Sequence, residues 1–342
     1  MKQCGLTLLP IEQVAAVYGA VTSLLMLVLW PRLVDPLMML MTRLEWLAAT
    51  AVLVGLSYLV GRRQSSATGS SLASPRAAWL SPLSLLSLLR AIVQMAFLIL
   101  WYPDTYEFNR SFDNLDHHFA ALDLQLFGCQ PSLEFSRLLS SSFWSEAFNL
   151  GYWSYYPMIA LLALAVLFKW RDTSRSSRFS HVTSVIMAAF FLYYLIYIFV
   201  PVAGPQFYFE AVGVDAIAQG HFPSLGTYFS SHTEMLPAPG DSSGLFYNLV
   251  SGAQATGERP TAAFPSSHIG ISTIVLLLAY RHVPRLLIVL LPLWGLLCCA
   301  TVYIQAHYLV DAIAGLASAP LMLWLAQWMV RPLFGIDAQQ DG

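Results

Sequence analysis

Residues 285–330 decide the class of fold, and they read RLLIVLLPLWGLLCCATVYIQAHYLVDAIAGLASAPLMLWLAQWMV. The apolar runs 285–303 and 308–330 each have roughly the 20 residues that a helix needs to cross a bilayer. His307 lies between the two runs, and Asp311 lies at the start of the second. Ionisable side chains at such positions are costly and usually functional. The stretch therefore predicts two membrane helices with a functional group at their junction.

The composition of the whole chain extends this prediction. Of its 342 residues, 57% are hydrophobic and 11% are charged, whereas about 25% are charged in an ordinary soluble domain. We therefore expect an all-α, polytopic membrane protein. The net charge of −2 and the lack of a basic stripe argue against a nucleic-acid partner. The four cysteines show no metal-ligand spacing.

Eight apolar stretches are predicted to span the membrane. They are 13–30, 38–60, 80–101, 146–168, 182–202, 267–280, 285–303 and 308–330. A stretch rich in Ser, Ala and Gly at 65–74 indicates a flexible cytoplasmic linker. The chain is thus predicted to consist of an N-terminal two-helix unit over 1–77 and a six-helix core over 78–342.

The basic residues between the predicted spans indicate the orientation of the chain. They are Arg62, Arg63, Arg76, Lys169, Arg171, Arg175, Arg178, Arg281, Arg285 and Arg331. Connections rich in Lys and Arg stay on the cytoplasmic side, so both termini are predicted to be cytoplasmic. Both motif histidines, His268 and His307, then face the outer side. Arg90 lies inside the third span, and its side chain is expected to snorkel to the cytoplasmic surface.

Two long connections are predicted on the outer side. The connection at 102–145 mixes acidic and apolar residues, which predicts a short amphipathic helix in the interface. Its adjacent His117 and His118 do not indicate a metal site, because neighbouring residues on a helix point apart. The connection at 203–264 is rich in Gly, Pro and aromatic residues, which predicts a structured cap without long regular elements.

The segment Phe264-Pro265-Ser266-Ser267-His268 opens the sixth predicted span. Proline fits the first turn of a helix because its missing N–H has no helical partner there. Ser266 or Ser267 can cap that end. Free N–H groups at a helix start favour phosphate, so Ser266 and Ser267 are candidate phosphate-binding residues with His268 beside them.

His307 and Asp311 are four residues apart and are predicted to lie on one helix face. The carboxylate can accept the Nδ1 proton of His307, which leaves Nε2 free to attack phosphorus. His268 can then donate a proton to the departing oxygen. Covalent chemistry of this kind needs no metal, so neither a metal site nor a cofactor is predicted.

These residues resemble the motifs of the type 2 phosphatidic acid phosphatase superfamily. That family carries Lys-x6-Arg-Pro, Pro-Ser-x-His and Ser-Arg-x5-His-x3-Asp. Here Pro265-Ser266-Ser267-His268 matches the second motif, and His307 with Asp311 matches the end of the third. The resemblance covers about 78–331 and implies a six-helix core. It also implies that His307 forms a phosphohistidine, that Asp311 assists it, and that His268 is the acid.

The chain departs from this pattern at the cationic positions. Ala300-Thr301 stands where Ser-Arg is expected, and no Lys-x6-Arg-Pro occurs. Arg259 is the candidate replacement cation because it lies within ten residues of His268. Such loss is similar to the inositol phosphorylceramide synthase branch, whose members move a phospho-alcohol head group between lipids. The resembling segments are 264–268, 303–308, Gly204-Pro205 and Leu122-Asp123-x2-Leu126-Phe127-Gly128-x2-Pro131.

The function predicted from the sequence is transfer or hydrolysis of a lipid phosphate ester at the outer membrane face. The substrate is expected to be a phospholipid or a sphingolipid. A plain lipid phosphate phosphatase is one alternative, since hydrolysis and transfer share the phosphoenzyme. A non-catalytic transporter or channel subunit is the other, in which the histidines would serve a proton relay. Tyr303 and Gln305 are possible pocket residues, and the sequence leaves the oligomeric state open.

Overall fold

The computed structural model describes residues 7–67, 81–169 and 175–334, and within them it contains helices and no strand. The all-α prediction is therefore confirmed. Most of the linker at 65–74, Arg76 and Arg171 lie outside the described residues. The α-helices are α1 (Pro10–Leu29), α2 (Pro36–Ala67), α3 (Pro82–Asn109), α4 (Asp116–Phe127), α5 (Pro131–Leu138), α6 (Ser142–Trp153), α7 (Tyr155–Lys169), α8 (Arg175–Phe199), α9 (Pro205–Val212), α10 (Val214–Ala218), α11 (Leu245–Gly257), α12 (Ser267–His282), α13 (Leu287–Tyr303) and α14 (Leu309–Val330).

Six helical segments of the described chain are long and apolar enough to cross a membrane. They are Pro10–Arg32, Pro36–Gln64, Pro82–Asn109, Ser177–Phe199, Pro284–Tyr303 and Leu309–Phe334. A seventh span results if α6 and α7 cross together. The sixth predicted span is α12, which has 16 residues and is shorter than the roughly 20 residues of a full span.

The fourth predicted span, 146–168, is broken at Ser154, where α6 and α7 meet at an angle of 48°. Pro157 lies in the first turn of α7. Proline has no N–H and its ring clashes with the carbonyl four residues earlier, which favours a kink or break at this point. The hydroxyl of Ser154 donates to the Gly151 carbonyl oxygen at 2.7 Å. Proline alone does not account for the break, because α3, α13 and α14 continue through Pro103, Pro292 and Pro320.

The described chain divides into two compact units. The first comprises the described parts of 1–104, 163–191 and 324–342. It contains two buried ion pairs, Arg90 with Glu12 at 2.5 Å and Arg43 with Asp104 at 2.7 Å. The expectation that Arg90 snorkels is wrong, because the residue is buried and its guanidinium is held by Glu12. The boundary at residue 77 stays a prediction.

The second unit comprises 105–162 and 192–323 and contains both motif histidines. A short helix, α4, is present where the sequence predicts one, but it does not present an acidic face to water. Asp116 and Asp123 on α4 are fully buried. The prediction that the acidic side of this helix lies in the interface is therefore wrong. Both carboxylates are buried because backbone N–H groups distant in sequence donate hydrogen bonds to them.

The connection at 203–264 forms a cap of short elements. It contains α9, α10, a 3₁₀ turn at Tyr228–Ser230 and α11, which is the longest of them with 13 residues. Glu146 of α6 accepts hydrogen bonds from Phe246 N and Tyr247 N at 3.0 and 2.9 Å. These bonds give partners to two N–H groups in the first turn of α11, and they hold that helix against α6.

Candidate active site

His307 lies in the turn between α13 and α14 and is almost fully buried. Its Nδ1 lies 2.8 Å from the Ala263 carbonyl oxygen and 3.8 Å from Asp311 Oδ2. Because a carbonyl only accepts, Nδ1 carries the proton of this bond and Nε2 keeps its lone pair. The tautomer is the one that the sequence predicts, but the hydrogen-bond acceptor is Ala263 rather than the expected Asp311.

Burial lowers the pKa of His307 to about 4, although its bond to Ala263 raises it. The ring is therefore neutral near pH 7. A neutral imidazole with an unprotonated Nε2 is a nucleophile. Asp311 Oδ2 accepts from Tyr308 N at 3.0 Å, whereas the buried Oδ1 has no hydrogen-bond partner among the described residues.

His268 is the second residue of α12, and its ring centroid lies 5.7 Å from that of His307 in an edge-to-face arrangement. The structure thus brings the two motif histidines together. The Nδ1 of His268 is buried without a hydrogen-bond partner in the described part of the chain. Two tyrosine rings contact the imidazole instead, with centroids at 4.7 Å for Tyr152 and 4.6 Å for Tyr155.

Ser266 caps α12, with its hydroxyl oxygen 3.5 Å from Ile269 N. Pro265 precedes this cap and lies outside the first turn where we expected it. Ser266 N donates to the Asp311 carbonyl oxygen at 3.1 Å, and Ser267 N donates to the Tyr197 hydroxyl at 2.9 Å. These two N–H groups therefore hold the loop in place and are not free for an anion.

Arg259 is exposed, and its guanidinium donates to the Glu258 carbonyl oxygen at 3.2 Å. No contact between Arg259 and either histidine occurs among the described residues. The two pocket candidates are held by other contacts. Tyr303 is buried, with its hydroxyl 3.2 Å from the Leu139 carbonyl oxygen. Gln305 has a positive φ of 64° in the turn before His307, and its carbonyl accepts from Gln206 N at 2.9 Å.

Asp123 was not among the candidates from sequence, yet it positions the second motif. Its carboxylate accepts from Leu309 N at 2.9 Å and from Val310 N at 3.0 Å. These are the first two residues of α14, so Asp123 caps the helix that carries Asp311. Burial raises the pKa of Asp123 to about 6, although both N–H bonds lower it. The signal in the sequence is the segment Leu122-Asp123-x2-Leu126-Phe127-Gly128, which from sequence alone indicates only a family resemblance.

Asp116 supports the same region from the other end of α4. It accepts from Ala203 N at 2.6 Å, Gly204 N at 2.8 Å and the Tyr308 hydroxyl at 3.0 Å. Gly204 has a φ of +99°, and a Cβ there would lie 2.6 Å from the Ala306 carbonyl oxygen. The close approach requires glycine and brings the start of α9 next to the His307 turn.

An apolar groove of about 500 Å³ is lined in part by residues that adjoin the two motifs in sequence. Ile269 and Ala312, the residues that follow His268 and Asp311, line it together with Phe135, Val302 and Leu316. Glu134 is its charged member. A groove of this size and lining suits an alkyl chain rather than a polar ligand.

The described residues contain no group of three or more His, Cys, Asp or Glu that could hold a metal ion. A neutral His307, a second imidazole beside it and a nearby carboxylate are suited to nucleophilic attack with proton transfer.

Comparison with known proteins gives a family-level match. A family model described as the PAP2 superfamily matches residues 119–325, which is more than half of the chain and includes both motifs. The comparisons with curated proteins and with solved structures returned no match.

The packing of Gly315 yields the first prediction. A Cβ on Gly315 would overlap the backbone of Ser266, so Gly315→Ala must displace the loop that carries His268. Overpacking of this kind costs about 1–3 kcal/mol, and we expect a lower thermal unfolding midpoint in detergent. Gly295→Ala is the matched control, because Gly295 lies inside α13 with nothing near its Cβ position. Equal midpoints for the two variants would contradict the packing described.

Proposed function

Because the chain belongs to the PAP2 superfamily, we propose that it is a membrane enzyme that transfers or hydrolyses lipid phosphate esters through a phosphohistidine. Membership implies phosphatase or phosphotransferase activity on phosphate esters. The observation that carries the proposal is the pair of histidine rings, whose centroids lie 5.7 Å apart. A proton relay across the bilayer would place the histidines along a path, so their convergence favours an enzyme over a transporter or channel subunit.

In the proposed first step, Nε2 of His307 attacks phosphorus. The new P–N bond forms as the bond from phosphorus to the leaving oxygen breaks, and protonated His268 donates its proton to that oxygen. The phosphorylated imidazole gains positive charge. Nδ1–H of His307 donates to the Ala263 carbonyl oxygen, with an N···O distance of 2.8 Å. Asp311 Oδ2 lies 3.8 Å from the same nitrogen. Both oxygens stabilise that charge.

In the second step, water or an alcohol attacks the phosphohistidine. Neutral His268 takes the proton of the attacking hydroxyl, the P–N bond breaks, and His307 returns to its starting form. Water gives hydrolysis, which corresponds to a plain lipid phosphate phosphatase. An alcohol gives transfer, as in the inositol phosphorylceramide synthase branch. Asp123 and its neighbours in 122–131, with 264–268 and 303–308, support the branch by resemblance.

The proposed phosphate-binding residues are Ser266, Ser267 and Arg259. Because the N–H groups of both serines are bonded elsewhere, the serines would contact the phosphate through their hydroxyl groups, in the loop next to His268. Arg259 is exposed and is tied by one bond to a neighbouring carbonyl. A long exposed side chain of this kind reorients at little cost, which allows its guanidinium to approach a bound phosphate.

The lipid nature of the substrate rests on the groove. Its lining residues extend from the start of α12 and α14 along α13. Burial of an alkyl chain is favourable by about 0.8 kcal/mol per CH₂. A lipid whose phosphate lies at the histidines can therefore place a chain in the groove.

We also propose that both termini are cytoplasmic and that the site is on the outer face, because Lys and Arg cluster in alternate connections. In a variant without native cysteines, Ser242→Cys in the exposed cap should react with an impermeant maleimide in intact cells. Arg281→Cys, exposed at the other end of α12, should react only after permeabilisation. The reverse labelling pattern would show that the termini are on the outer side and that the proposed orientation is wrong.

Substitution of the three proposed catalytic residues should separate their roles. His307→Ala should trap no phosphate, because nothing else attacks phosphorus. His268→Ala should slow phosphorylation of His307 by esters of poor leaving groups about 10²–10⁴-fold and should spare phosphorylation by esters of good leaving groups, whose oxygen departs without a proton. Asp311→Asn should retain an amount of labelled phosphate between those of His307→Ala and His268→Ala. The measurement is labelled phosphate retained on denatured protein at matched expression.

His221→Ala is the control for this series, because His221 is exposed in the cap. It should behave as wild type. Trapping at the wild-type level in His307→Ala would show that the nucleophile is another residue.

Obstruction of the groove should weaken the binding of long-chain substrates. Leu316→Trp places a larger side chain in the groove, and loss of about two buried CH₂ groups raises KM about tenfold. A short-chain phosphate ester should keep its KM. Leu321→Trp is the control, because Leu321, like Leu316, is an exposed residue of α14 but does not line the groove. Equal KM changes for both chain lengths would exclude the groove as the chain site.

A further inference from the structure

The two histidines of the site are held in different ways. His307 is fixed by a hydrogen bond to the Ala263 carbonyl. His268 has a buried Nδ1 that no described residue accepts from or donates to. No hydrogen bond at Nδ1 therefore fixes the orientation of the ring, and its protonated form loses solvation on burial. The contacts that remain to orient His268 are those with neighbouring rings.

Aromatic rings surround the imidazole of His268 in place of a hydrogen-bond acceptor. Tyr152 stacks on it, with an interplanar angle of 28° and a centroid distance of 4.7 Å. Tyr155 lies at 4.6 Å with an angle of 46°. Its hydroxyl is 3.5 Å from the Ser267 carbonyl oxygen. Both contacts are within the distance at which a cation interacts with an aromatic face.

The break between α6 and α7 gives these tyrosines their positions. Tyr152 is near the end of α6 and Tyr155 begins α7, so the 48° bend at Ser154 lies between them. Gly151 allows the end of α6 to lie against the Leu296 backbone, where a Cβ would come within 2.6 Å. The bend and this close approach fix both rings relative to α13.

We propose that Tyr152 and Tyr155 are positioning residues that hold the His268 ring and stabilise its protonated form during proton transfer to the leaving oxygen. This inference rests on the proposed phosphohistidine mechanism. The tyrosine faces carry partial negative charge and attract imidazolium more than neutral imidazole. They therefore retain the proton on His268 until phosphorus–oxygen cleavage makes the leaving oxygen a stronger base.

The role predicts a dependence on the leaving group. A long-chain alkyl phosphate needs the proton from His268, because an alkoxide is a poor leaving group. A nitrophenyl phosphate with an alkyl chain of the same length departs without it. Tyr152→Leu and Tyr155→Leu should lower kcat for the alkyl phosphate by about 2–30-fold, the range of a cation–π contact. KM should not change, and in a single turnover the nitrophenyl ester should phosphorylate His307 at the wild-type rate.

The conservative variants Tyr152→Phe and Tyr155→Phe keep the aromatic face and should restore kcat. A loss in the phenylalanine variants as large as that in the leucine variants would overturn the proposal, because the hydroxyl would then be the active group. Equal loss for both substrates would also overturn it, since a purely structural defect slows both reactions.

Fluorinated phenylalanines at position 152 provide a second test that keeps the shape of the ring. Successive fluorines weaken the negative face, so kcat for the alkyl phosphate should fall stepwise, while phosphorylation of His307 by the nitrophenyl ester should be unaffected. A flat response would contradict the proposal. If wild-type protein traps no phosphate from the nitrophenyl ester, the phosphohistidine mechanism itself is wrong, and the proposed role of the tyrosines is then wrong as well.

Discussion

The hydrogen bond from His307 Nδ1 to the Ala263 carbonyl oxygen, at 2.8 Å, is the interaction on which the rest of the site depends. It joins the turn before α14 to the segment before α12. It also fixes which imidazole nitrogen carries the proton. Ser266 N binds the Asp311 carbonyl oxygen at 3.1 Å between the same two segments. The two motifs thus form one structure through backbone groups.

Buried carboxylates on α4 support that structure. Asp123 caps α14, and Asp116 binds the chain at Ala203 and Gly204 as well as the Tyr308 hydroxyl. Charged groups in an apolar setting are costly unless their hydrogen bonds are satisfied. Here backbone N–H groups satisfy them, and these N–H groups would otherwise be unpaired at a helix start. The acidic residues of α4 are therefore structural supports of the site.

The sequence predicts the features that depend on local pattern. Apolar runs predict the helices, and the segment 264–268 predicts the capped start of α12. The spacing of His307 and Asp311 predicts their proximity, but the expected shared helix face is wrong, because α14 begins at Leu309 and His307 lies in the turn before it. The family-level resemblance is confirmed by the match over 119–325, and the branch stays a prediction. The break at Ser154 is close to Pro157, but prolines inside α3, α13 and α14 do not break those helices, so proline alone does not predict it.

The features that sequence reasoning misses depend on contacts between distant segments. Asp123 and Val310 are 187 residues apart, and His307 and Ala263 are 44 apart. No pattern within one helix reveals that Ala263 rather than Asp311 accepts the Nδ1 proton. The stacking of Tyr152 on His268 likewise requires the fold. Local pattern identifies the reactive groups, while tertiary contacts determine how each one is held.

The central claim is that His307 becomes covalently phosphorylated, and mass spectrometry of the trapped enzyme tests it most directly. Wild-type protein quenched in base during turnover and digested should carry phosphate on the peptide that contains His307. The linkage should be lost in acid and survive in base, as expected of a phosphoramidate. Phosphate on a Ser, Asp or other His, or an unmodified His307 peptide during active turnover, would contradict the account.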